Sequence, residues 1–187
     1  MKEVIMPNAL EMLRQDHEKV KKLFEEFENA EDNRAKEQIV DHTIRELETH
    51  AALEEEIFYP AAQEEIDEKE SIDEAREEHH VVKLLIGELK KMSAGRERYD
   101  AKYKVLAESV KHHIQEEESE LFPKLEGMLD AEELGTQMET RKQQLQRQPR
   151  KRSGGRGGKS KNGTRARKGR QQTRTRKTRR KVSGRRR

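Results

Sequence analysis

The 187-residue sequence contains no cysteine. This absence excludes disulfides, thiolate nucleophiles, zinc fingers and cysteine-held iron–sulfur clusters. Tryptophan is also missing, and only 4% of the residues are aromatic. No apolar run approaches the ~20 residues that a membrane-spanning helix needs, and the first residues lack the apolar segment of a secretory signal. We therefore expect a cytoplasmic protein that does not enter a membrane.

Apolar residues are scarce as well, at 30% of the chain against 42% charged residues. Residues 141–187 carry 22 lysines and arginines and no acidic residue. The first 140 residues hold the other 19 of the 41 basic residues and all 38 acidic ones, a net charge of −19. This division predicts a helical bundle at residues 1–134, a short helical extension or linker at 135–148, and a disordered basic tail at 149–187, because the tail has too few apolar residues to form a core.

The acidic part has the apolar periodicity of four helices, and no segment alternates as a strand would. Asn8 with Glu11, and Ser71 with Glu74, have the spacing of helix-capping boxes. Short connections between helices favour antiparallel neighbours. The sequence thus predicts an all-α fold, namely an antiparallel up-down-up-down four-helix bundle followed by the disordered basic tail.

An internal repeat supports this topology. Residues 50–60 read HAALEEEIFYP and residues 113–123 read HIQEEESELFP, an offset of 63. The first and third helices also correspond, because DHEKVKKLF at 16–24 resembles EHHVVKLLI at 78–86. A duplicated helical hairpin, and hence a bundle with two-fold pseudosymmetry, is expected.

Each of the four apolar stripes contains one histidine, and two of them also contain a glutamate four residues later, on the same helix face. Buried carboxylates and imidazoles need partners, because an unpaired buried charge costs several kcal/mol. Metal ions would satisfy both groups, and imidazole with carboxylate suits iron, manganese or zinc. The candidate metal ligands are His17, His50, Glu54, His79, His113 and Glu117.

A single histidine on an apolar stripe is more often a hydrogen-bonded core residue than a ligand. Four histidines in register, two of them followed by glutamate and all related by a repeat, favour a metal site instead. The remaining histidines lie off the stripes. We expect His42 at the surface and His80 and His112 beside the site.

These motifs together resemble the hemerythrin-like HHE cation-binding domain over about residues 8–128. The resemblance implies a four-helix bundle with an oxo- or hydroxo-bridged di-iron centre, with manganese as the less favoured metal. It assigns Glu54 as a bridging carboxylate and Glu117 as the second carboxylate. Oxygen-carrying hemerythrins have an aspartate one residue further on, where this chain has Glu118, so Glu118 is the alternative ligand. Those carriers also have a second histidine on the third helix, for which Ala75 and Lys83 are poor substitutes.

The missing histidine would leave coordination positions open to O2, NO or peroxide. The sequence therefore indicates iron, oxygen or reactive-oxygen sensing or handling rather than reversible oxygen transport. It leaves open whether the protein is an enzyme. Two alternatives remain, a di-iron oxidase or peroxidase, and an architectural nucleic-acid-binding protein that uses the bundle only as a scaffold.

The basic tail has the composition of a segment that binds phosphate backbones through counterion release, with little reading of sequence. It resembles the tails of histone-like nucleoid proteins, so DNA or RNA and a nucleoid location are expected. A solubilising tail, a localisation signal, or a strap lying on the acidic bundle are the competing interpretations. The basic residues predicted to contact nucleic acid are Arg150, Lys151, Arg152, Arg165, Arg167, Lys168, Arg174, Arg176, Lys177, Arg179, Arg180 and Lys181.

Overall fold

The computed structural model describes residues 7–67 and 69–147, and within these residues the chain is helical with no strand. None of the helices in this part is long and apolar enough to cross a membrane. The tail residues predicted to bind nucleic acid lie outside the described residues. The α-helices are α1 Ala9–Asn29, α2 Asn33–Leu53, α3 Tyr59–Glu65, α4 Lys69–Leu89, α5 Tyr99–Glu116, α6 Phe122–Leu125 and α7 Ala131–Arg147.

The predicted bundle of two helical hairpins is confirmed. Helix α1 packs on α2, and α4 packs on α5. Three residues connect α1 to α2, and the α4–α5 connection turns at Gly95, whose φ of 79° lies in the left-handed region that favours glycine. Because both connections are short, the helices of each hairpin run antiparallel.

One predicted helix cap is confirmed and the other is wrong. The side chain of Asn8 accepts a hydrogen bond of 3.1 Å from the backbone N–H of Glu11, as expected at the start of α1. Helix α4 begins at Lys69, so Ser71 lies inside the helix rather than at its cap. The pattern placed this helix correctly but missed its first residues, where propensity and tertiary packing both act.

A π-helical turn follows α2 at Glu54–Phe58, and a second follows α5 at Glu117–Leu121. Each turn ends two residues before a proline, Pro60 or Pro123, which has no N–H to continue the α-helical hydrogen-bond ladder. The preceding residue instead donates its N–H to a carbonyl five residues back, Tyr59 to Glu54 and Phe122 to Glu117. Such π-turns are frequent at functional sites, and here each begins at a candidate ligand.

The core consists of two apolar clusters on either side of a layer of buried polar side chains. One cluster includes Phe24, Phe27 and Tyr103, and the other includes Phe58 and Phe122. Burial of these side chains is the main stabilising contribution to the fold. The candidate metal ligands lie in the polar layer between the two clusters.

Helix α7 packs on α1 and α2 as a fifth helix. Its Met138 is fully buried. At Gly135 the backbone approaches the N-terminal segment so closely that a Cβ would lie 1.9 Å from the carbonyl oxygen of Pro7, so only glycine fits there. The helix spans the boundary predicted at residue 134, and the proposed domain limits stay a prediction.

Candidate metal centre

The structure brings all six candidate ligands together in one buried layer. The histidines come from α1, α2, α4 and α5, and the two glutamates are the first residues of the two π-turns. The exposed fractions are His17 1%, His50 6%, Glu54 0%, His79 4%, His113 4% and Glu117 2%. Burial to this degree requires that each group has a polar partner or a bound ion.

The histidines form two pairs. The Nε2 atoms of His17 and His50 are 3.1 Å apart, and those of His79 and His113 are also 3.1 Å apart. Each pair joins the two helices of one hairpin, α1 with α2 and α4 with α5, as the duplicated sequence requires. The two pairs are therefore related by the pseudo-two-fold axis of the bundle.

The carboxylate of Glu54 lies between the two pairs. Its Oε1 is 3.0 Å from Nε2 of His50, and its Oε2 is 3.3 Å from Nε2 of His79. Glu117 is placed similarly, with Oε2 at 3.3 Å from Nε2 of His17 and 3.6 Å from Nε2 of His113. The Tyr59 hydroxyl donates a 2.9 Å hydrogen bond to the other oxygen of Glu117.

A second layer of carboxylates faces the outer nitrogens of the histidines. The Nδ1 atoms of His17, His79 and His113 lie at hydrogen-bond distance from a glutamate. Because a carboxylate only accepts, these Nδ1 atoms carry a proton, so Nε2 of each ring faces the centre and is the nitrogen that offers a lone pair to a metal when it is not protonated. The pairs are His17–Glu118 at 2.8 Å, His79–Glu55 at 2.8 Å, His113–Glu78 at 2.7 Å, and His50–Asp16 at the longer distance of 3.9 Å.

Three of these outer carboxylates are held by lysines. Lys83 contacts Glu55 at 2.6 Å, Lys21 contacts Glu118 at 3.4 Å, and Lys142 of α7 contacts Asp16 at 2.6 Å. Burial would raise the pKa of Asp16, but its neighbours His50 and Lys142 lower it on balance. Lys142 and Lys83 thus help to keep Asp16 and Glu55 ionised, and ionised carboxylates orient the imidazoles.

The inner carboxylates strongly affect the histidines between them. Burial lowers the pKa of His50, but the charge of Glu54 and the nearby Asp16 outweigh burial and raise it to about 10. For His113, burial is likewise outweighed by Glu117 and Glu78, which raise its pKa to about 9. Burial opposes ionisation of Glu54 too, yet His50 and His79 hold its pKa well below the usual range. Without metal, His50 and His113 are therefore protonated at neutral pH.

Several buried atoms of the layer have no hydrogen-bond partner, namely both oxygens of Glu54, Oε2 of Glu117 and Nδ1 of His50. Imidazole Nε2 atoms and carboxylate oxygens converge on the same space, so protons or metal ions must lie between them to offset the buried negative charge. Two overlapping ligand groups could each hold an ion, one made by His17, His50, Glu54 and Glu117, the other by Glu54, His79 and His113. The donor set fits two divalent ions that share Glu54.

A small cavity of about 20 Å³ adjoins the four histidines. Its other walls are mainly apolar and include Val20, Leu47, Val82 and Val110. A cavity that holds a single water needs about 10–15 Å³, so this one has room for one water or diatomic molecule. Larger molecules cannot reach the inner nitrogens through it.

Glu118, the predicted alternative to Glu117, lies outside the inner layer and accepts from Nδ1 of His17. Glu117 is buried and faces Nε2 atoms, so the geometry favours Glu117 as the inner carboxylate. Ala75 is buried in the apolar cluster, and Lys83 pairs with Glu55. Neither therefore offers a ligand in place of a fifth histidine.

The remaining histidines lie away from the inner layer, as expected. The His42 side chain is 41% exposed, and His80 is exposed. His112 is 64% exposed and lies beside two glutamates, Glu78 and Glu116. Only the adjacent His113 reaches the centre.

Sequence reasoning missed Tyr59 and three of the outer carboxylates, and it named the fourth, Glu118, only as an alternative inner ligand. Asp16 and Glu78 directly precede histidines of the repeat, and Glu55 and Glu118 directly follow its glutamates, so the repeat itself carried the signal. Tyr59 carried no such signal, because its counterpart in the second repeat is Phe122, whose ring stacks on His17 at 5.8 Å. The two ends of the centre therefore differ, with a hydroxyl at one and a hydrocarbon ring at the other.

Fold and layer together define a helical-bundle protein with a histidine–carboxylate centre for metal ions. Residues 8–125 match the hemerythrin HHE cation-binding domain family. Because this match covers more than half of the chain, the protein belongs to that family. Helix α7 lies beyond the matched residues.

Two curated relatives share this region. A DNA nickase from Nostoc sp. is 29% identical over 146 residues, which are 75% of this chain and 40% of the nickase. An uncharacterized hemerythrin-like protein from Schizosaccharomyces pombe is 30% identical over 120 residues, 63% of this chain and 59% of that protein. The chain thus spans about half the length of the curated relatives that it matches.

A solved structure has the same fold. The crystal structure of a hemerythrin HHE cation-binding domain-containing protein from Mycobacterium kansasii superposes with a TM-score of 0.65 at 25% sequence identity. The superposition covers 75% of this chain and 88% of that one. The resemblance inferred from the sequence motifs is therefore confirmed.

Proposed function

We propose that the protein binds two iron ions in the histidine–glutamate layer and uses them to sense or handle iron, oxygen or reactive oxygen species. The observation that carries this proposal is the position of Glu54 between the two histidine pairs, with one oxygen toward each pair and no hydrogen bond to either oxygen. Manganese would fit the same donors and is the second choice of metal.

The proposed ligands divide between the two ions along the pseudo-two-fold axis. His17 and His50 would hold one ion, His79 and His113 the other, and Glu54 both. Glu117 would complete the set from the opposite side. Bound iron would supply one-electron redox chemistry and open positions for O2, NO or peroxide.

The chain itself supplies the remaining requirements. The outer carboxylates fix the imidazole rings with Nε2 facing inward. The apolar cavity walls admit a diatomic molecule and exclude bulky substrates. The Tyr59 hydroxyl donates a hydrogen bond to Glu117, and burial together with Glu54 and Glu117 raises the pKa of Tyr59 well above the usual value. This hydroxyl therefore stays protonated and can donate a hydrogen bond within the centre.

Anaerobic reconstitution with ferrous ion tests the proposal. The protein should bind two ions per chain, and exposure to O2, peroxide or NO should change its visible spectrum. Glu54→Gln keeps the size of the side chain but removes the shared charge, so it should lose most of the metal. Glu56→Gln is the matched control, since Glu56 lies in the same π-turn and pairs on the surface with Arg141. Equal metal binding by both variants would refute the assignment.

Steady-state assays separate a sensor from an enzyme. A sensor or scavenger should react with peroxide or O2 once per centre, whereas an oxidase or peroxidase should turn over. Sustained consumption of peroxide that Glu54→Gln abolishes would favour the enzymatic alternative. A reaction that stops after one equivalent would favour sensing or handling.

We further propose that the basic tail at residues 149–187 tethers the centre to DNA or RNA in the nucleoid. Its composition supports this, and a relative named as a DNA nickase shares the helical region. A chain ending at Arg147 should lose binding to a short duplex at 50 mM salt, and the affinity of the full chain should fall steeply with salt. Unchanged binding by the shortened chain would refute the tether.

The scaffold alternative predicts a different result. If the bundle only displays the tail, then His50→Ala with His113→Ala should leave both nucleic-acid binding and the protein's role in cells unchanged. If the centre is the functional part, the same variant should keep nucleic-acid binding and lose the cellular role. The cellular role of the double variant therefore distinguishes the two hypotheses.

A further inference from the structure

The outer layer of the centre obeys the pseudo-two-fold symmetry at one pair of positions and breaks it at the other. Glu55 and Glu118 are equivalent in the repeat, and both are held by equivalent lysines, Lys83 and Lys21. Asp16 and Glu78 are also equivalent, because each directly precedes a repeat histidine. Their surroundings, however, are different.

Asp16 is covered. Helix α7 packs on α1 and α2 at this place, and Lys142 reaches Asp16 with distances of 2.6 and 2.8 Å. On this side of the centre, the repeat has uncharged residues at the positions that Glu74, His112, Glu116 and Glu120 hold near Glu78. These uncharged residues are Met12, Thr49, Leu53 and Ile57. This side of the centre is therefore closed and locally neutral.

Glu78 instead lines an open groove of about 60 Å³ on α4 and α5. Glu74, Glu116 and Glu120 line the same groove, where the other repeat has Met12, Leu53 and Ile57. Glu117 and Lys124 also line it, so the carboxylates exceed the cations by five to one among these side chains. The groove thus has a negative potential that attracts cations.

Three potential ligands meet in this groove. Nε2 of His112 lies 3.2 Å from Oε1 of Glu116 and 3.8 Å from Oε1 of Glu78. Their donor atoms all lie within 4.8 Å of one another. One imidazole with two carboxylates is a donor set for first-row divalent cations.

The floor of the groove is the buried centre itself. His113 and Glu117 line the groove and are 4% and 2% exposed. Oε2 of Glu117 accepts no hydrogen bond. Glu78 links the two levels, since its Oε1 faces His112 while its Oε2 accepts a 2.7 Å hydrogen bond from Nδ1 of His113.

We propose that His112, Glu78 and Glu116 form an outer cation site through which divalent ions load the buried centre. An ion captured there from water lies in the groove that Glu117 also lines. The acidic side chains of the groove raise the local concentration of cations. The opposite face cannot serve this role, because α7 and Lys142 occupy it. This inference rests on the proposed metal centre, and it assigns a route and a third, weaker site to it.

Loading kinetics with Co²⁺ alone test the route in the full chain freed of metal. The visible bands of Co²⁺ in the buried centre should appear at least several-fold more slowly in His112→Ala with Glu116→Gln than in the parent protein at low salt. The final amplitude should be unchanged, because neither substituted residue is an inner ligand. Added salt should slow the parent toward the variant, since screening weakens the attraction of the groove.

The matched control is His42→Ala with Glu46→Gln. These residues form another histidine–glutamate pair on a helix surface, with the same spacing and the same 3.2 Å separation, but far along α2 from the groove. This control should load at the parental rate. Equal rates for both double variants, with full amplitude, would overturn the route and leave the centre standing. Failure of the parent to bind Co²⁺ would overturn the proposed centre and the route with it.

Discussion

Replacing Lys142 with methionine should destabilise the bundle far more than its position in the last helix suggests. Lys142 holds the carboxylate of Asp16, which is 7% exposed and lies beside His50. Methionine keeps the apolar stem of the side chain and removes only the charge. Asp16 would then be a buried carboxylate whose one remaining cationic neighbour is the protonated His50, with Nδ1 at 3.9 Å.

The size of the effect follows from this burial. Breaking a buried ion pair by removing one partner costs about 3–5 kcal/mol, and we expect the lower end because the Lys142 side chain is 18% exposed. A loss of about 3 kcal/mol lowers the melting temperature by roughly 6–12 °C in a domain of this size. The pKa of Asp16 is lowered in the folded protein, so this stabilisation is present near neutral pH and is lost as the pH falls through the range where Asp16 takes up a proton.

Thermal unfolding followed by circular dichroism, in the presence of a chelator, measures the change. Arg141→Met is the control, because Arg141 is the neighbouring cation and its partner Glu56 is largely exposed. Adding Asp16→Asn to Lys142→Met should restore most of the stability, since the buried charge that lost its lysine is then gone. Equal melting temperatures for Lys142→Met and Arg141→Met would show that Lys142 does not stabilise a buried Asp16 carboxylate.

Two further predictions concern the same structure. Metal binding at pH 7 should release about two protons per chain, measured by calorimetry in buffers of different ionisation enthalpy. The pKa values of His50 and His113 are about 10 and 9 without metal, so affinity should rise up to about a hundredfold per pH unit near neutrality and level off above pH 10; release of no protons would contradict these values. Gly135→Ala should displace α7, because its Cβ would lie 1.9 Å from the carbonyl oxygen of Pro7. Overpacking of this kind lowers the free energy of unfolding by about 1–3 kcal/mol. Gly87→Ala is the control, because the space around Gly87 is open, and it should not lower the melting temperature.

The sequence predicted the bundle and the six inner residues because both depend on periodicity. A helix face repeats every 3.6 residues, so His50 and Glu54 had to share a face, and the duplication placed His113 and Glu117 in the equivalent position. The choice of His79 over His80 followed from the same phase, and the structure buries His79 and exposes His80. Register along a helix is local information that a sequence contains.

Other features depend on contacts between distant residues, which periodicity does not reveal. The π-turns arise from Pro60 and Pro123, and a pattern of 3.6 residues per turn does not indicate where an extra residue is accommodated. The pairing of Lys142 with Asp16 joins residues 126 positions apart. The contrast between a closed and an open side of the centre depends on α7, which sequence reasoning treated as a short extension.

Metal analysis of the protein as purified from cells, together with its ultraviolet–visible spectrum, tests whether the histidine–glutamate layer is a di-iron centre. We expect about two irons per chain with near-ultraviolet charge-transfer bands, both lost in His50→Ala and both retained in His42→Ala, which removes an exposed histidine of the same helix. A protein without metal, whose His50→Ala variant is as stable as the parent, would contradict the di-iron centre and leave the four histidines as core packing.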